Sequence, residues 1–160
     1  MHDLLFSIGE WLEGSPLASA LASYPHIIPM ISAIHYFSVF LTVGTIVALN
    51  LRVLGVAGHR QPVTQVAEDL SPWIWTGFIT AVLTGLLITV PGAGELFIAN
   101  FFFTKMLVVL LGFVSVLVVQ RTVRQGDPSA TRVKVAALIS LLLWVCSLLA
   151  GTQLGQFACG

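Results

Sequence analysis

The sequence predicts an all-α integral membrane protein: an antiparallel four-helix bundle preceded by an amphipathic helix lying in the outer membrane interface. Three observations predict it. Of 160 residues, 57% are hydrophobic and 9% charged, with a mean hydropathy of +0.97, whereas soluble domains carry about a quarter charged residues. Four apolar stretches are long enough to cross roughly 30 Å of hydrocarbon. Short connections rich in Gly and Pro separate them: GHRQP (58–62), PGAGE (91–95) and RQGDPS (124–129). A water-soluble domain of this length has too little interior to hide so much apolar surface. Seven basic and seven acidic residues cancel, so no basic field draws nucleic acid.

The first element covers residues 1–24. Leu4, Leu5, Ile8, Trp11 and Leu12 recur at helical spacing opposite Asp3, Ser7 and Glu10, the pattern of a helix lying in the interface. Its acidic character lacks the basic start of a signal peptide. It serves as a lid or anchor, or as a docking element for a partner subunit. Four spans follow, at about 27–56, 70–90, 98–119 and 133–154, making one membrane domain of residues 1–160. Short connections make consecutive helices antiparallel neighbours.

Orientation follows from charge. Arg52, Arg60, Arg121, Arg124, Arg132 and Lys134 flank the first and third connections, while Asp3, Glu10, Glu13 and Glu95 lie at the other side. The positive-inside rule then puts both termini outside, in the periplasm for a bacterial inner-membrane protein. Among the basic residues only Lys105 departs from this pattern. There is no CxxC or CxxCH motif, so neither a structural zinc site nor a covalently attached haem is expected. Cys146 and Cys159 stand about half a membrane apart along the fourth span, too far for a disulfide.

A rise of 1.5 Å per residue gives each polar group a depth. From the outer side, His35 lies roughly 12 Å down the first span, Thr84 and Thr80 about 9 and 15 Å down the second, Lys105 about 10 Å down the third, and Ser147 and Trp144 about 10 and 15 Å down the fourth. Ser32, His35, Ser38, Thr42, Thr45 and Arg52 share one face of the first span. Thr76, Thr80 and Thr84 run beside Gly77, Ala81 and Gly85, a small-residue spacing that lets helices approach closely. Ser140, Trp144, Ser147 and Gly151 line the fourth. Hydroxyl stripes of this kind serve packing and interhelical hydrogen bonds. An intramembrane histidine is costlier and faces a site, a cavity or a satisfying partner. Lys105 either meets a buried anion or snorkels to the outer headgroups.

Candidate metal ligands are few: His26, His35, Met30 and Met106, with His59 solvated in a connection. His26 and Met30 are four residues apart, a soft pair suited to copper. His26 and His35, nine positions apart, share a metal only if Pro29 kinks the helix between them. No Asp or Glu lies in the four spans, so a carboxylate relay or di-metal centre is excluded.

The stretch AIHYFSVFLTVGTIVALNLRVLG, with His35, Gly44 and Arg52, resembles the first span of the CopD-like and HemJ-like four-helix membrane proteins. PWIWTGFITAVLTGLLI resembles their second span, and FFFTKMLVVLLGF, with Lys105, their third. The resemblance covers roughly residues 27–120. It implies either a haem b pocket built on His35 and Lys105, as in the HemJ-like protoporphyrinogen oxidases, or a role in copper handling, as in the CopD-like proteins. Leu51 precedes Arg52 where HemJ-like proteins have a Pro-Arg pair, so a haem pocket is expected in preference to the oxidase reaction itself. Three functions remain open on the sequence. One is a haem b protein in electron transfer or porphyrin-related redox, with Thr84 and Trp144 lining the cofactor. Another is a copper-binding or transport protein using His26, Met30, His35 and Met106. The last is an accessory subunit of a membrane complex. The expected surroundings are the lipid bilayer, a membrane redox partner or complex subunits, and further copies of the chain.

The topology has a direct check. A cysteine introduced at Gly126 should react with a membrane-impermeant maleimide only from the cytoplasmic side. Labelling from the periplasm would reverse the orientation.

Overall fold

The computed structural model describes residues 2–57, 60–125 and 131–157. His59, Cys159 and residues 126–129 of the third connection lie outside them. Among the described residues the chain is helical with no strand, and four helices are long and apolar enough to cross a membrane. The helices are α1 (His2–Glu13), α2 (Pro16–Ser23), α3 (Ile27–Val53), α4 (Val63–Thr89), α5 (Ala93–Ile98), α6 (Asn100–Gln125) and α7 (Thr131–Phe157). The all-α, four-helix membrane fold expected from the sequence is what the chain adopts.

Local chemistry sets the helix ends. The Ser15 hydroxyl accepts from the Ala18 amide at 3.2 Å, and Pro16 follows as the first residue of α2, where its missing N–H costs nothing. The third residue of α3, Pro29, is accommodated in the first turn for the same reason, and α3 runs on to Val53. Gly55 ends α3 with φ +75°. The amides of Val56 and Gly55 donate to the carbonyls of Leu51 (3.0 Å) and Arg52 (3.1 Å), a Schellman closure that requires the left-handed residue. The Arg52 guanidinium then donates to the Gln61 carbonyl at 2.6 and 3.0 Å, tying the end of α3 to the segment leading into α4.

Two departures from the apolar pattern are physical. Helix α4 begins at Val63, ahead of the apolar run from residue 70, because its backbone bonds propagate through the polar turns TQVAEDL. Pro72 sits inside it; the carbonyl it leaves without a donor belongs to Glu68, an exposed residue whose neighbourhood lets water take the bond. The PGAGE connection is not a plain turn. Val90–Gly92 forms a 3-10 turn that runs into α5.

The chain packs as two compact units, Met1–Phe40 with Thr76–Phe103, and Leu41–Trp75 with Thr104–Gly160. In the first, α1 and α2 pack on α5 and the preceding 3-10 turn. Ala18, Leu21 and Val90 form a small buried core, joined by Leu12, Ile27, Ile28 and Ile31. Helix α1 meets α5 backbone to backbone: a Cβ built on Gly9 would lie 2.5 Å from the Gly94 Cα. The Glu13 carboxylate accepts from the Gly94 amide at 2.8 Å. Leu4, Ile8 and Trp11 stay exposed on the other side of α1, Trp11 by 74%, an apolar stripe suited to the interface.

The second unit buries Val43, Ile46, Leu49 and Val53 of α3, Ala67 and Ile74 of α4, Val116, Val119 and Val123 of α6, and Val133, Ala137 and Trp144 of α7. Leu110, Leu138 and Leu142 face outward, as lipid contact demands. Cys146 is a free, exposed thiol.

The Gly9–Gly94 contact makes a stability prediction. Gly9→Val forces α1 off α5 and should cost about 1–3 kcal/mol, the usual range for overpacking, seen as a lower melting temperature in detergent. Gly92→Ala, where a Cβ meets nothing within 4 Å, should melt like the parent. Equal melting of the two variants would contradict the packing described.

Candidate functional site

His35 lies in the third turn of α3, half-buried within the first unit. Its Nδ1 is 2.9 Å from the Ala81 carbonyl and 3.2 Å from the Thr84 hydroxyl, both on α4. A carbonyl only accepts, so Nδ1 carries the proton. The Thr84 hydroxyl donates its own proton to the Thr80 carbonyl at 2.6 Å, which leaves its oxygen as a second acceptor for the same Nδ1–H. The tautomer follows: in the neutral ring, Nε2 holds the lone pair.

The α4 backbone makes room for this ring. A Cβ on Gly85 would lie 3.0 Å from His35 Cε1 and 3.4 Å from Nδ1. Residues 81, 84 and 85 share one face of α4 at steps of three and four. That face supplies a carbonyl acceptor, a hydroxyl acceptor and a flat glycine surface in little more than one turn. Tyr36 stands edge-on to the imidazole, with ring centroids 5.9 Å apart.

Of the candidate residues, the structure brings His35 and Thr84 together. His26 is exposed in the turn that precedes α3, and Met30 is 64% exposed in its first turn. Pro29 lies in the first turn of α3, which continues to Val53. Lys105, Met106 and Trp144 belong to the second unit. Lys105 is half-buried and Met106 is 42% exposed. Trp144 is 5% exposed, its indole lying against Gly112, where a Cβ would come within 3.3 Å of the ring. Among the described residues, no three His, Cys, Asp or Glu side chains come together as a metal-binding group.

Three contributors to the structure were not legible as site residues. The Ala81 carbonyl is a backbone group and carries no side-chain signal. Asn50 and Gln120 are buried to 1% and 6% exposure within α3 and α6. Their signal was there to be read: carboxamides near the ends of apolar spans.

The hydroxyl stripe on α3 closes on its own helix. Ser38 donates to Ile34 at 2.7 Å, and Thr45 to Leu41 at 2.7 Å, the usual way such side chains satisfy themselves in a helix.

No curated protein and no solved structure matches this chain. The model of a family of unknown function, DUF6644, matches residues 8–157. Matched over nearly its whole length, the chain belongs to the DUF6644 family.

Proposed function

We propose that this protein is an integral membrane haem b protein of electron transfer, with His35 Nε2 as the axial ligand. The observation that carries this reading is the hydrogen bond from His35 Nδ1–H to the Ala81 carbonyl, seconded by Thr84. Histidines that ligate a metal are held in this way: the far nitrogen donates to a carbonyl, which sets the tautomer, aims the lone pair and raises its basicity. When bound, a haem supplies a one-electron couple whose potential depends on the axial ligand and on burial. The chain's own part is to orient the imidazole through Ala81 and Thr84, to seat it on Gly85, and to keep it neutral in an apolar span. The reading agrees with the resemblance of the first three spans to HemJ-like proteins. A copper site draws less support, because His26 and Met30 are exposed at the start of α3 and Met106 lies in the other unit. The setting proposed is a bacterial inner membrane, with both termini periplasmic and a membrane-bound redox partner or complex subunit receiving the electron.

The test is spectroscopic. The protein purified in detergent from haem-replete cells should show a Soret band. His35→Ala should lose it while the helices still form, and His59→Ala should keep it. Thr84→Val removes one acceptor and should weaken haem retention by about tenfold, the lower end for loss of a ligand's supporting partner. A full Soret band in His35→Ala would make His35 a packing residue and end the proposal.

A second check uses Gly85. Gly85→Val presses a side chain against His35 Cε1 and should reduce the Soret absorbance, whereas Gly44→Ala, where a Cβ meets nothing within 4 Å, should not. Equal absorbance in both variants would mean that the seat of the imidazole is irrelevant to the cofactor.

A further inference from the structure

The second unit buries four polar side-chain atoms that have no hydrogen-bond partner among the described residues: Asn50 Nδ2, Gln120 Nε2, Ser140 Oγ and Trp144 Nε1. Their residues are 1%, 6%, 0% and 5% exposed. Elsewhere in the spans, hydroxyls satisfy themselves on their own helix, as Thr122 does on Val118 at 2.7 Å. A carboxamide or an indole reaches no such carbonyl so readily. Four orphaned groups in one apolar interior are costly unless something supplies acceptors.

Gln120, Ser140 and Trp144 fall along the α6–α7 pair, and Asn50 belongs to the same unit. The Gly112–Trp144 contact sets the register of α6 against α7. Equal steps in opposite directions from it bring Val116 level with Ser140, Gln120 level with Ala136, one residue from the buried Ala137, and Val123 level with Val133. Val116, Gln120, Val123, Val133, Ala137 and Ser140 are all buried along this pair. The contact of Trp75 with Phe113, with ring centroids 5.2 Å apart, likewise brings Ala67 of α4 close to the level of Gln120. Asn50 lies about 4.5 Å from the end of α3 at Val53, and Gln120 about 7.5 Å from the end of α6 at Gln125. Ala67 and Ala137, both fully buried, are the small residues near the level of Gln120. Ser140 stands about 4.5 Å further in and Trp144 about 6 Å beyond it.

We propose that this interior holds a second binding site, for a neutral molecule that accepts hydrogen bonds. The indole N–H can only donate, and the amide nitrogens present donors as well. None of the four groups is charged, and among the described residues of the unit no cation is fully buried, Lys105 being half-buried, so a neutral acceptor suits them better than an anion. Two sources share the chemistry that remains: internal water, and the carbonyl of a lipid-soluble molecule such as a quinone headgroup entering from the bilayer. His35 belongs to the other unit.

The experiment uses the full chain with Trp11, Trp73 and Trp75 changed to Phe, leaving Trp144 as its sole indole. Ultraviolet resonance Raman reads whether that indole N–H is hydrogen-bonded, and fluorescence reads its quenching by decylubiquinone. A bonded N–H with saturable quenching, weakened about tenfold or more by Asn50→Leu with Gln120→Leu, supports the site with a membrane carbonyl as its source. A bonded N–H without saturable quenching supports it with water as the source. An N–H that is not bonded, with or without the quinone, overturns the proposal, and so does saturable quenching that the Leu pair leaves unchanged. The Leu pair keeps volume and removes both amides, so it should melt no lower than the parent. If it fails to fold, Ser140→Ala serves in the same comparison, because it removes a single hydroxyl.

Discussion

Hydrocarbon offers no hydrogen-bond partner, and the structure follows from that constraint. Every backbone amide must be satisfied within the protein, which is why the long apolar runs are helices. The same demand falls on side chains. Ser38, Thr45, Thr84, Thr89 and Thr122 each donate to a carbonyl four residues earlier in their own helix, and Ser115 to one three residues earlier. These short hydroxyls are satisfied by the helix that carries them, whereas Ser140 Oγ has no partner among the described residues. A polar stripe made of Ser and Thr is compatible with an interior that has no site in it.

Longer polar groups behave differently, and they mark where this protein departs from inert packing. The His35 imidazole extends past its own helix and takes an acceptor from α4. Asn50, Gln120 and Trp144 extend into the core of their unit, where no described residue answers them. The His35 imidazole is anchored through Nδ1 by the Ala81 carbonyl and the Thr84 hydroxyl. The buried amides and indole pose the complementary problem of donors awaiting acceptors. Both derive from side chains too long or too rigid to fold back on their own turn.

Close backbone approach is the other recurring device. Gly85 lets the Nδ1–Cε1 edge of the His35 ring come close to α4, Gly112 receives the Trp144 indole, and Gly9 and Gly94 bring α1 onto α5. Without hydrophobic pressure between helices in lipid, such close contact is how packing contributes. The Glu13 carboxylate adds a charged acceptor for the Gly94 amide, fastening α1 to the segment between α4 and α6. The exposed side of α1 keeps Leu4, Ile8 and Trp11 for the membrane surface.

The sequence by itself determined the all-α membrane class, the four long apolar helices and the amphipathic pattern of α1, and it singled out His35 and Thr84, which the structure brings together. Each rests on properties local to the chain: apolar run length, helical period, and the rarity of an imidazole in a span. Local properties stop at contacts between segments. The apolar run at 70–90 marked the hydrocarbon part of α4 but not the start of the helix at Val63, because backbone bonds propagate through polar residues as well. The PGAGE stretch read as a turn, yet docking against α1 folds it into a helical turn and α5. Only the tertiary structure decided that a backbone carbonyl, Ala81, holds His35, since every residue has a carbonyl and none advertises its role. It also decided that Asn50 and Gln120 are buried while Met30 is exposed. All three lie on or beside apolar runs, and which way a helix turns depends on what packs against it.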